Sequence, residues 1–107
     1  MTRYQEITPS ALQAMQATGA LQLVNVRNDD EVARGIISGA KHIILNDLPM
    51  RWNELSDETP LVFYCHSGVR SAHAFMYLAE QGFTALFNLQ GGIMAWGQAG
   101  LPFVTKG

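Results

Sequence analysis

The chain's single cysteine, Cys65, is followed by His66, Ser67, Gly68, Val69, Arg70 and Ser71. Basic side chains, hydroxyls and a glycine so close to one thiol form a set able to bind an anion and activate a nucleophile. A free thiol titrates near about 8.5, and only its thiolate attacks electrophiles. Each unit of lowering requires about 1.4 kcal/mol of preference for the anion. A helix N-terminus supplies about 0.3–1 kcal/mol, whereas a hydrogen bond to a charged acceptor is worth about 1.5–3 kcal/mol. Backbone amides of a tight turn, arranged as a concave nest, must therefore carry most of the effect. Gly68 permits a backbone conformation closed to other residues. The small Ser67 is expected to keep the cup open, and Arg70 and Ser71 can donate to an incoming oxyanion. Inert packing is the alternative for a cysteine behind an apolar strand, and it does not account for the residues that follow.

The elements that must position this loop lie on either side of it. LVFYC, Leu61 to Cys65, is an apolar run after Thr59-Pro60, too short for a helix and suited to a central strand. A helix is expected to open at Ser71 and run to Gln81, with Ala72, Phe75, Met76 and Ala79 at helical spacing and Gly82 closing it. Upstream, Tyr4 to Ile7 reads as a short strand, and Thr8-Pro9 as an N-cap with a first-turn proline. That helix turns Leu12 and Met15 inward and stops at Gly19. Leu21 to Val26 is a strand, and Asn28-Asp29-Asp30 caps a short helix ending near Gly35. Lys41 to Leu45 is a third strand, and Met50 to Leu55 makes a helical turn or two. Thr84 to Leu89 is the fifth strand, and Gly91-Gly92 leads into a last short helix. This alternation implies a mostly parallel sheet covered on both faces. Ligands of such sheets sit beyond the carboxyl ends of the strands, where Cys65 falls.

Composition narrows the function classes. A chain of 107 residues suits one domain, 1–107, and buries roughly 60–70% of its unfolded surface. The net charge of −2 offers no electrostatic footprint for nucleic acid or an anionic membrane. No apolar run approaches the length of about 20 residues that spans a bilayer. The N-terminal MTRYQEITPSALQAMQ lacks a secretory core segment, so a cytoplasmic protein is expected. One cysteine excludes an intramolecular disulfide and argues against a Cys-based metal site. His42 and His73 have no partner at metal-ligand spacing, and neither metal nor cofactor is expected.

Cys65 to Arg70 resembles the six-residue active-site loop of single-domain rhodaneses, a family of sulfurtransferases. LVNVRNDDEVARGIISGAKHI is similar to that family's upstream Asp-x-Arg, Glu, Gly-His-Ile-x-Gly-Ala motif, with Asn25 for the aspartate and Ile36 for the common histidine. NLQGGIMAWGQAGLPFV resembles its closing Gly-Gly-x-x-x-Trp and Gly-x-Pro segment. The resemblance implies a three-layer α/β/α fold on a five-stranded, mostly parallel sheet. It also implies a double displacement through Cys65. The thiolate takes sulfur from thiosulfate or a similar donor, becomes a persulfide, and yields the sulfur to cyanide, a thiol or a protein cysteine. His66, Ser67, Gly68, Val69, Arg70 and Ser71 become the donor-binding set. His66 stands where several thiosulfate-using members carry arginine. A sulfur-relay module handing its persulfide to a partner protein would share this loop and turn over cyanide slowly. Cysteine phosphatases of the same architecture carry a loop longer by one residue, so the smaller ring favours a single sulfur atom over a phosphoryl group.

Other residues divide between packing and the rim. Arg27 is expected to pair structurally with Glu31, four residues on. Arg51 and Trp52 are placed to reach the rim or to pack, and Trp96 reads as core. Met15, Met50, Met76 and Met94 read as core or cover.

Overall fold

The computed structural model describes residues 4–105. The ends of the domain expected over 1–107, residues 1–3 and 106–107, lie outside that range. In chain order the regular elements are β1 (Glu6–Ile7), α1 (Pro9–Thr18), β2 (Gln22–Asn25), α2 (Asp29–Val32) and β3 (Ala40–His42). Then come α3 (Leu48–Arg51), β4 (Leu61–Tyr64), α4 (Val69–Glu80), β5 (Leu86–Leu89) and α5 (Gly92–Gln98). Two single 3-10 turns, Leu45–Asp47 and Trp52–Glu54, flank α3.

The five strands form one sheet in the order β1-β5-β4-β2-β3, every pairing parallel. β4 is central and wholly buried, as its unbroken apolar sequence requires. Alternate residues face opposite ways, and the core divides accordingly. Leu61, Phe63 and Cys65 pack with Leu48, Ala74, Phe75 and Leu78 on the α3/α4 face. Val62 and Tyr64 pack with Leu12, Ile93 and Trp96 on the α1/α5 face. The result is the expected three-layer α/β/α arrangement.

The caps work as their residue types predict. Thr8 accepts a hydrogen bond from the Ala11 amide at 3.2 Å, and Gly19 ends α1 with φ of 72°. Differences from the sequence reading have physical causes. Helix α4 opens at Val69 rather than Ser71, because Gly68 supplies the turn. Its buried stripe is Ser71, Ala74, Phe75 and Leu78, with Met76 outside. β1 is confined to Glu6–Ile7. β3 stops at His42, since Leu45 is already in a 3-10 turn. Of the methionines, Met15 packs on the core, whereas Met50, Met76 and Met94 are exposed. Trp96 is buried and donates its indole N–H to the Pro102 carbonyl. Trp52 packs edge-on against Phe83. Arg51 donates to the exposed Glu54 and to the His42 carbonyl.

Candidate active site

Cys65 stands one residue beyond β4, where the strand ends and the loop to α4 begins. Gly68 holds φ of 111°, a left-handed conformation that admits glycine and few other residues. The turn folds three donors back onto the sulfur. The Gly68 N–H lies 3.1 Å from Cys65 Sγ, and the Ser71 N–H and hydroxyl each 3.4 Å. Burial is the largest single influence on the thiol and pushes its pKa up. The Ser71 hydroxyl, with the amides of Ser71, Gly68 and Ser67, outweighs it and brings the pKa below its ordinary value. The Ser71 hydroxyl first, and the amide hydrogens with it, therefore favour the thiolate in an environment that strengthens them by excluding water.

Cys65 is only 1% exposed. Ser67 does not leave Cys65 open to solvent; His66, Ser67 and Val69 are exposed beside it.

The far end of the loop is clamped. Arg70 donates from both terminal nitrogens to the two carboxylate oxygens of Glu31, at 2.6 and 2.7 Å. Glu31 also accepts the Asn28 amide at 3.1 Å. The Arg70 guanidinium, foremost among its partners, holds the Glu31 carboxyl at a pKa of about 2. Glu31 in turn raises that of Arg70. The sequence reading paired Glu31 with Arg27 instead. Arg27 is buried and donates to the Gly35 carbonyl and to Asn25 Oδ1. Asn25, in the aspartate's place, accepts the Arg27 amide at 2.9 Å and donates to the Tyr64 hydroxyl at 2.9 Å. Ile36 pairs with Val104 through two backbone hydrogen bonds, which pin the C-terminal segment.

Two supports of the loop were missed from sequence. Asn88, buried on β5, donates from Nδ2 to the Gly68 carbonyl at 3.0 Å and to the Tyr4 hydroxyl at 2.8 Å. Its Oδ1 has no hydrogen-bond partner among the described residues. The N-terminus of α5 grips the loop from the other side. Ile93 N–H donates to the Cys65 carbonyl at 2.9 Å and Met94 N–H to that of His66 at 3.1 Å. Gly92 makes this approach possible, since a Cβ there would lie 2.5 Å from His66 O and 2.6 Å from Cys65 O. The Gly-Gly pair hinted at a close approach, but nothing local named its target.

His42 Nε2 lies 2.7 Å from the Arg27 carbonyl oxygen, and His73 is exposed on α4. Among the described residues no three His, Cys, Asp or Glu side chains are grouped to hold a metal ion. No described helix is long and apolar enough to cross a membrane.

The sequence profile of the Rhodanese-like domain matches residues 8–99. A sulfurtransferase of Allochromatium vinosum is 39% identical over 96 residues, 90% of this chain and 90% of its own. The thiosulfate sulfurtransferase GlpE of Stutzerimonas stutzeri is 34% identical over 96 residues, 90% of this chain and 87% of its own. The crystal structure of a rhodanese-like domain protein from Staphylococcus aureus is 33% identical and covers 96% of this chain and 99% of that one, with a TM-score of 0.85. With a profile spanning most of the chain and relatives aligned nearly end to end, the protein belongs to the rhodanese-like family of sulfurtransferases.

Proposed function

We propose that the protein moves sulfane sulfur from thiosulfate, or a donor of the same chemistry, through a persulfide on Cys65 to a thiophilic acceptor. The observation that carries this reading is the convergence of the Gly68 amide and the Ser71 amide and hydroxyl on Cys65 Sγ. In the first step the Cys65 thiolate attacks the outer sulfur of thiosulfate. A Cys65 S–S bond forms, the donor's S–S bond breaks, and the electron pair leaves with sulfite. In the second step a nucleophilic acceptor attacks the outer persulfide sulfur, and the electron pair returns to Cys65 as thiolate. Both enzyme forms are anionic sulfur, and the same amide hydrogens stabilise each.

The loop residues take distinct parts. Ser67, Gly68 and Ser71 face the sulfur with hydrogens. His66 is exposed at the rim, free to meet the donor anion, and Val69 bounds the rim with an apolar side chain. Arg70 braces the loop through Glu31, and Cys65, as a second and smaller partner, also raises its pKa.

Mass spectrometry after thiosulfate treatment tests the proposal. Cys65 gains the mass of one sulfur atom and loses it on adding cyanide or a thiol, and Cys65→Ser gains none. Hydrolysis of an aryl phosphate that disappears in Cys65→Ser, with no sulfur uptake, would overturn it.

A further inference from the structure

A cavity of about 280 Å³ adjoins the loop, lined by Arg27, Glu31, Arg34, Gly35, His66, Ile93, Met94, Gly97 and Phe103. It touches the loop at His66, which follows Cys65 directly, and Glu31, the partner of Arg70, lines it as well. Its volume lies just below the range of about 300–1,000 Å³ usual for small-molecule sites. Inorganic thiosulfate and cyanide have no apolar part, yet one wall of the cavity is apolar: Ile93, Met94, and the ring of Phe103. That wall is built with some care. Phe103 is held next to the Ile36–Val104 bridge. Gly97 leaves room for its ring, because a Cβ there would lie 2.7 Å from Phe103 Cζ.

The charges are unbalanced in one direction. Seven Lys and Arg residues less Arg3 and Lys106, outside the described range, leave five. Lys41, Arg51 and Arg70 face carboxylates, and Arg27 is spent on the Gly35 carbonyl and Asn25. Among the described residues, the Arg34 side chain alone of these has no hydrogen bond or ion pair. The lining's one carboxylate, Glu31, is already neutralised by Arg70. The cavity thus presents an apolar wall and a spare cation.

We propose that this cavity is the acceptor subsite, and that the acceptor is a small organic thiol with an apolar body and a carboxylate. This rests on the persulfide reading above. The acceptor attacks the outer sulfur, one bond further from Cys65 than the donor's point of entry, so its body lies outward from the cup, over the rim that His66 shares with the cavity. The acceptor thiolate forms a bond to the outer sulfur and the Cys65 S–S bond breaks. The electron pair stays on Cys65, the acceptor departs as its own persulfide, and no oxidant or reductant is needed. Ile93, Met94 and Phe103 cover the body, and Arg34 takes the carboxylate.

Single-turnover decay of the Cys65 persulfide tests this, with mercaptohexanoate, mercaptohexanol and mercaptopropionate as acceptors. Mercaptohexanoate is expected to half-saturate at a concentration at least about tenfold below mercaptopropionate, since each buried methylene favours binding. It should also lie about fivefold below mercaptohexanol, the size of an exposed ion pair. Arg34→Gln should erase the carboxylate preference, and Phe103→Ala the chain-length preference. Equal half-saturation for all three thiols, or ratios untouched by both variants, overturns the proposal. A shift confined to the donor half-reaction overturns it too, and assigns the cavity to the donor. If thiosulfate loads no persulfide, the functional reading fails by itself. The subsite is then judged on the unloaded protein by NMR titration with the unreactive S-methyl ether of mercaptohexanoate. Shifts of the Ile93 and Met94 methyls that weaken about fivefold in Arg34→Gln support it, and their absence overturns it.

Discussion

At the residue scale, everything turns on how many hydrogens reach one sulfur. Ser71 supplies two of the three donors nearest Cys65. Ser71→Ala removes the hydroxyl and leaves the amide, so the thiol pKa should rise. Ultraviolet titration of the thiolate would show the shift, and iodoacetamide should alkylate the variant about three- to tenfold more slowly at neutral pH. Because the folded pKa of Cys65 is depressed, its thiolate stabilises the fold at pH above the unfolded thiol's value. That contribution disappears as pH falls through the folded value. Glu31 behaves likewise at lower pH. Its carboxyl sits at about 2 against an ordinary 4.5, so its contribution is complete above 4.5 and fades toward 2. The pair is partly exposed, and screening reduces its worth to about 1 kcal/mol. Glu31→Gln should therefore lower the melting temperature by roughly 4–8 °C at neutral pH, with the two melting curves converging near pH 2. Cys65, Gly68 and Ser71 were legible because their chemistry is contiguous in sequence. The Arg70–Glu31 bridge was not, since its partners lie 39 positions apart and Arg27 offered a nearer candidate.

At the element scale, three pieces of backbone hold the loop: β4 below, α4 beyond it, and the N-terminus of α5 alongside. A Cβ at Gly92 would collide with the Cys65 and His66 carbonyls, where φ is also 61°. Gly92→Ala should therefore cost about 3 kcal/mol or more, the sum of overpacking and a left-handed backbone. Denaturant melts measure that loss, and a raised thiol pKa in the folded fraction would show that the loop itself moved. Asn88 is the support from β5. Asn88→Ala leaves the Gly68 carbonyl without its side-chain donor and should loosen the turn whose amide faces the sulfur. Slower iodoacetamide alkylation at neutral pH, restored at alkaline pH, would separate this positioning role from simple destabilisation. The elements were readable from apolar runs and caps, and the differences cluster where glycine sets a boundary. Gly68 starts α4 two residues early because its left-handed φ brings the next residue straight into the helix. Asn88 stayed hidden because an asparagine inside an apolar strand has no local signature that distinguishes a buttress from a surface residue.

At the scale of the molecule, charge and size decide how a donor arrives. The protein measures 35 × 27 × 22 Å and carries a net charge of −2, while thiosulfate is a dianion. At a separation of about 15 Å in water their repulsion is about 1 kcal/mol before screening. The Debye length is about 30 Å at 0.01 M salt, so the donor then feels the whole molecule; near 0.15 M it is about 8 Å, and the donor feels only the nearby rim. The proposed attraction is local, supplied by the loop amides and His66, and it survives that change better than the overall repulsion does. Raising salt from 0.01 to 0.15 M should therefore increase kcat/KM for thiosulfate about two- to threefold. Steady-state assays across that range, with a neutral salt that does not react with persulfide, check the sign. A decrease would mean that the Arg34 charge governs the encounter at long range, and Arg34→Gln should then weaken the salt dependence.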